Sequence, residues 1–163
     1  MEPAIKPVAS ATRSNVIGVL ATEGTLSADR YRTLATAHSD GITIVHRIGH
    51  GLAMDVELGQ ETSPATRQKL RDHARAFVSR GADVVVLGCT HYSFLAAALH
   101  EMADGSLVVI DPVDAVARQA VRVATERGLE NGTAQRAYLS TDPKRRPRRM
   151  QALLGSELTV EAT

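Results

Sequence analysis

Between Gly81 and Gly88 the chain reads Ala-Asp-Val-Val-Val-Leu, apolar at every position but Asp83. A strand with one wet face alternates apolar and polar residues. A run without alternation needs cover on both faces, which is the situation of a central strand in a parallel sheet. The flanks agree. Ser63-Pro64 places serine at a helix cap and proline at the first helical position, and the helix this opens runs to residue 80 and stops at Gly81. After the strand come a turn, Gly88-Cys89-Thr90-His91, and a further helix over 93–102. The same alternation fills the rest of the chain. Strands are expected over 15–21, 42–45, 107–110 and 135–139. Helices are expected from a Ser27 cap to residue 38, over 51–58 with Gly59 as the stop, over 113–127 and over 147–154. Strands and helices in strict alternation predict an α/β fold with a doubly wound parallel sheet. Such sheets bind ligands at the carboxyl ends of their strands, where both Thr22–Thr25 and Gly88–His91 fall.

With 163 residues, 44% of them hydrophobic, the chain can bury one core and is short for two. Nineteen Lys and Arg against eighteen Asp and Glu leave a net charge of +1, which gives no electrostatic case for nucleic acid or for an anionic membrane as a partner. The densest basic stretch, Lys144-Arg145-Arg146-Pro147-Arg148-Arg149, reads as a solvated patch near the C-terminus. No apolar run approaches the roughly 20 residues that a membrane span needs. The first 20 residues lack the basic-then-apolar order of a secretory signal. A single cysteine excludes an internal disulfide and a cysteine-rich zinc site, and fits a reducing, cytoplasmic setting.

That cysteine, Cys89, lies where the most buried strand ends and a helix is about to begin. A helix N-terminus favours anions, so a thiol there can ionise more readily. His91 is placed to act as acid, base or hydrogen-bond donor, Gly88 lets a ligand approach the backbone, and Thr90 offers a hydroxyl and an amide that suit a carboxylate. The bland alternative is a buried structural thiol, the common fate of a lone cysteine. Other polar residues read as structural. His46 and His50 bracket Arg47 in a strand and turn, and no metal site is expected there. His73 and His100 sit on helices without a ligand partner in register. Asp111 is expected to cap the helix that follows it, and Asn131-Gly132 to form a turn. Thr22 and Thr25 are divided evenly between a cleft role and plain turn roles.

Leu87-Gly88-Cys89-Thr90-His91-Tyr92 resembles the second catalytic-cysteine motif of glutamate racemases, within the aspartate/glutamate racemase family. The likeness runs nearly the whole chain. Glu2–Pro7 resembles the family segment that enters its second lobe, and Ile17–Thr25 the strand and loop that follow. Val56-Glu57-Leu58-Gly59 resembles a helix end that carries an acidic residue beside the active site. Val109–Pro112, Ala115–Ala117 and Leu139–Asp142 resemble the late strands and helix. The resemblance implies cofactor-independent interconversion of L- and D-glutamate by two thiols, one on each face of the α-carbon. Each thiol is base in one direction and acid in the other, while the site stabilises the carbanionic state. Carried over, Cys89 is the second catalytic cysteine, Thr90 and His91 bind substrate, His91 also assists Cys89, and Glu57 is the acidic helper, with Asp55 as a less well-spaced rival. The implied role is supply of D-glutamate for peptidoglycan.

The sequence departs from the family in three ways. It has Gly49-His50 where many members have Cys-Pro, and Ser93 where proline is common. Nothing in it resembles the family's first half, with its Asp-Ser and its first cysteine followed by Asn-Thr. The expectation is therefore the C-terminal three-fifths of a racemase. Residues 1–106 would form the second lobe, and 107–163 would be a segment that normally completes the other lobe. The expected partners are glutamate and either a separate N-terminal half or further copies of the chain. Alone, such a chain is expected not to racemise. The competing readings are a racemase or single-cysteine decarboxylase of the same superfamily acting on aspartate or a hydantoin, and a non-enzymatic relic or interaction module.

Overall fold

The computed structural model describes residues 8, 11–37, 41–129, 138–140, 147–155 and 160–162. In chain order these form β1 (Val16–Ala21), α1 (Glu23–Ser27), α2 (Asp29–Ala37), β2 (Thr43–Ile48), α3 (Leu52–Glu57), α4 (Pro64–Val78), β3 (Val84–Gly88), a 3-10 turn (Thr90–Leu95), α5 (Ala96–Met102), β4 (Val108–Ile110), α6 (Val113–Glu126), β5 (Tyr138–Ser140), α7 (Pro147–Leu154) and β6 (Val160–Ala162). Four strands make one sheet in the order β2-β1-β3-β4, and every pairing in it is parallel. β5 and β6 form a separate parallel pair. The α/β class with a parallel sheet is as the alternation predicts.

The non-alternating run is a central strand. Val84, Val85, Val86 and Leu87 are each 2% exposed or less. Val85 and Leu87 join Leu20 under Leu70 and Phe77 of α4 and Leu99 of α5. Val84 and Val86 face the other way, with Ile17 and Val8. Gly18 on β1 lets α4 come close: a Cβ there would lie 2.6 Å from the Phe77 ring. α4 starts as expected, with Ser63 Oγ accepting from the Thr66 amide at 3.1 Å and Pro64 at the first turn. Asp83, the one polar residue before the run, ties the chain's early segment to β3. Its carboxylate accepts from the Thr12 hydroxyl at 2.6 Å and from the Arg13 and Ser14 amides at 2.7 and 2.9 Å. Desolvation works against ionisation there, but these donors prevail and hold the carboxyl down at about 2.

Several boundaries differ from the expectation for identifiable reasons. Thr22–Thr25 is not a plain turn. Thr22 caps α1, its hydroxyl accepting from the Thr25 amide at 3.3 Å. Ser27 is accordingly not a cap but the last residue of α1, and extended Ala28 separates it from α2. β2 runs to Ile48 rather than 45, because all six of its residues pair with β1. His46 and Arg47 disguise it. The helix expected over 93–102 begins as a 3-10 turn and becomes α-helical only at Ala96. β6 has no counterpart in the sequence reading. Residues 135–137, Asn131-Gly132, the Glu2–Pro7 segment and Lys144–Arg146 lie outside the described residues. Among the described residues no helix is long and apolar enough to cross a membrane.

Candidate active site

The chain enters the sheet at β1, steps to β2 on one side and then crosses to β3 on the other. The switch point therefore lies between the carboxyl ends of β1 and β3, where open α/β sheets form their ligand crevice. The two loops at those ends meet: Thr25 Oγ1 donates to the Gly88 carbonyl at 3.5 Å, and Thr22 and Thr25 share a hydroxyl–hydroxyl bond of 2.9 Å.

Cys89 follows β3 directly, in extended conformation, half-buried at the mouth of this crevice. The tight 3-10 turn turns His91 back toward it, so that Cys89 Sγ lies 3.9 Å from His91 Nδ1. The far side of the ring, Nε2, is 2.7 Å from Glu57 Oε1, at the last residue of α3. Thr90 is exposed on the same turn. Glu57 and His91 are 34 positions apart in sequence, and the fold brings them into contact. Asp55 points elsewhere. It is buried and paired with Lys69 at 2.7 Å.

The order thiol, imidazole, carboxylate has a definite chemistry. A carboxylate accepting from Nε2 fixes the ring proton there, which leaves Nδ1 of a neutral ring as a bare acceptor facing sulfur. An acceptor so placed can draw the proton from a thiol, and the imidazolium formed stabilises the thiolate. Tyr92 supports the turn from below. It is fully buried, and its hydroxyl donates to the Gly49 carbonyl at 2.9 Å. Burial first, then the electrostatic influence of the neighbouring Cys89, pushes the phenol up to about 12, so it remains a donor. A Cβ at position 49 would overlap this hydroxyl, so Gly49 is a packing requirement under the turn.

The other singled-out residues take structural places. Asp111 accepts from Ser93 Oγ at 3.0 Å and from the Val113 amide at 3.1 Å, joining the turn after Cys89 to the start of α6. His46 stacks edge-on against Tyr31, and His50 and His100 are exposed. His73 does have a partner, though not a metal. It is buried and accepts from Arg47 Nε at 2.9 Å. Burial first, then the Arg47 guanidinium, lowers its imidazole to about 4. Arg149 corrects the reading of the basic stretch as solvated. Its Nε donates to the Val56 carbonyl at 2.7 Å and its Nη2 pairs with Glu61. Nothing in the local sequence signals either partnership, since one spans 26 positions and the other about 90.

Comparison with known proteins gives a consistent result. The glutamate racemase of Pseudomonas entomophila is 41% identical over 146 residues, which is 88% of this chain and 55% of that protein. That of Ectopseudomonas mendocina is 37% identical over 163 residues, 98% of this chain and 62% of that one. The crystal structure of glutamate racemase from Francisella tularensis in complex with D-glutamate superposes with a TM-score of 0.84 at 19% identity, over 99% of this chain and 62% of that one. The chain thus spans a little over half to about three-fifths of the length of these relatives. The family model for Asp/Glu/Hydantoin racemases matches residues 1–120, and with that match the chain belongs to the Asp/Glu/Hydantoin racemase family.

Proposed function

We propose that this chain is the portion of a cofactor-independent glutamate racemase that carries one of its two catalytic thiols. The observation that carries the reading is the Cys89–His91–Glu57 array at the switch point of a sheet whose relatives are named glutamate racemases. In this reading Cys89, assisted by His91 and Glu57, exchanges the α-proton on one face of the substrate. Thr90 and His91 hold a substrate carboxylate, and a D-glutamate complex of a structural neighbour supports that ligand class. Inversion needs a proton donor on the opposite face, and the chain contains no second thiol to provide it. The N-terminal part that the relatives carry in addition is the expected source. The cellular setting is the cytoplasm, where D-glutamate supplies peptidoglycan synthesis.

The test is solvent-deuterium incorporation at Cα of L-glutamate, D-glutamate, aspartate and a hydantoin, followed by NMR and chiral chromatography. The chain alone should exchange glutamate without racemising it. Addition of the N-terminal part of the Pseudomonas entomophila racemase should restore inversion. Unaided racemisation would overturn the two-thiol account, and exchange confined to aspartate or the hydantoin would reassign the substrate.

A further inference from the structure

We infer that Arg149, on α7, is a positioning residue for the Glu57–His91–Cys89 array. α3 is six residues long, too short to hold itself in place by its own hydrogen bonds, and it carries no basic residue in its last turn to balance the negative end of its dipole. Its final residue is Glu57. Arg149 supplies what α3 lacks, from 93 positions further along the chain. Its Nε donates to the carbonyl of Val56, the residue that precedes Glu57, and its Nη2 pairs with Glu61 just beyond. Between these two anchors lies Gly59, at φ +72, where the chain reverses. A Cβ there would lie 3.6 Å from the Arg149 guanidinium, so the side chain runs directly along the turn. One planar cation thus grips both ends of the 56–61 segment, and the carboxylate that orients His91 hangs from its first peptide. The geometry makes the docking of α7 a condition for the alignment of the imidazole with the thiol. Arg149 touches neither Cys89 nor His91 among the described contacts and acts only through Glu57.

This inference rests on the proposed role of the Cys89–His91–Glu57 array, and the experiment separates the two. The full chain has a single thiol, so alkylation by iodoacetamide at pH 7 reports Cys89 alone. Two-bond proton–nitrogen correlation reports which nitrogen of the His91 ring bears the proton, and far-UV circular dichroism reports the fold. Arg149→Met should slow alkylation by about fivefold, the order of effect of one net hydrogen bond on a rate. It should also move the His91 nitrogens toward the mixed tautomers of a free imidazole, with the circular dichroism unchanged. Arg149→Lys should recover part of both signals. Should Arg149→Met fail to fold, Glu61→Gln removes one anchor only and should give a smaller change in the same direction. Glu57→Gln serves as the reference and should show the full effect. An effect of Glu57→Gln with none from Arg149→Met or Glu61→Gln would overturn the role of Arg149. Absence of any effect from Glu57→Gln would overturn the array itself, and the role of Arg149 with it.

Discussion

Acidification should weaken this fold through His73, and the size of the loss follows from the structure. The imidazole is buried on α4 and accepts from Arg47 Nε on β2. Burial disfavours its charged form, the adjacent guanidinium repels it, and His50 adds to that. Asp72 works in the opposite direction without prevailing, so the group stands at about 4 in the folded chain against 6.5 in the unfolded one. A lowered folded-state value means that the unfolded chain binds the proton first. Stability is therefore complete above pH 6.5 and is lost as pH falls through about 4. With these two values the loss relative to pH 7.5 is about 1 kcal/mol at pH 5.5 and about 2 kcal/mol at pH 4.5. The assay is urea unfolding at pH 7.5, 5.5 and 4.5 for the wild type and for His73→Gln, whose side-chain oxygen can still accept from Arg47 but does not titrate. Other groups titrate alike in both proteins and cancel in the difference. The variant should be the less stable protein at pH 7.5, because its amide is a poorer fit, and should close the gap by about 2 kcal/mol at pH 4.5. Parallel stability curves would refute the assignment, since they would mean that His73 takes up its proton equally in both states.

Three further outcomes are expected. Tyr92→Phe should cost about 1–3 kcal/mol in urea unfolding, because it leaves the buried Gly49 carbonyl without the donor it has at 2.9 Å; a neutral result would mean that water takes the donor's place. Ser63→Ala should cost about 1 kcal/mol by removing the cap of α4, and Ser63→Asp should largely restore it, which unfolding midpoints will decide. Cys89→Ser should abolish glutamate-dependent α-deuterium exchange while circular dichroism stays unchanged, and exchange that survives it would place the base elsewhere.

Much of the architecture was legible because it rests on short-range chemistry. The Val84–Leu87 run, the Ser63-Pro64 start and the Gly59 and Gly81 stops each obey a local rule, and the structure places β3 and α4 at those positions within a few residues. The errors arose where a local rule had a competitor. Ser27 is a good cap residue, but Thr22 caps a helix five positions earlier, and serine closes that helix instead. His46 and Arg47 read as the end of a strand, although on β2 each finds a partner in a covering helix, His46 the Tyr31 ring and Arg47 the His73 imidazole. In the candidate site, Cys89 and His91 were legible as neighbours on a turn. Glu57 came only from the family resemblance, because nothing in its own sequence context points across 34 residues to an imidazole. Arg149 was read as one of a solvated run because charge density is a property of composition, whereas its docking depends on where α7 lies.

Among the described residues the candidate site is one-sided. Its thiol, imidazole and carboxylate all come from the ends of β3 and α3, so they meet a substrate from a single direction. A base on one face removes a proton and can return a deuteron only to that face. In the proposed reading, exchange by Cys89 alone would proceed with retention, and only for the enantiomer whose α-proton points at sulfur. Inversion demands a second donor on the opposite face, held rigidly enough to protonate before the first thiolate does. An assay that follows only optical rotation is blind to the first process and sees only the second. The two observables together measure how much of the reaction resides in these 163 residues. Exchange without inversion would locate half of the chemistry here, exchange with inversion would require a second donor besides this one thiol, and neither would leave Cys89 without a chemical role.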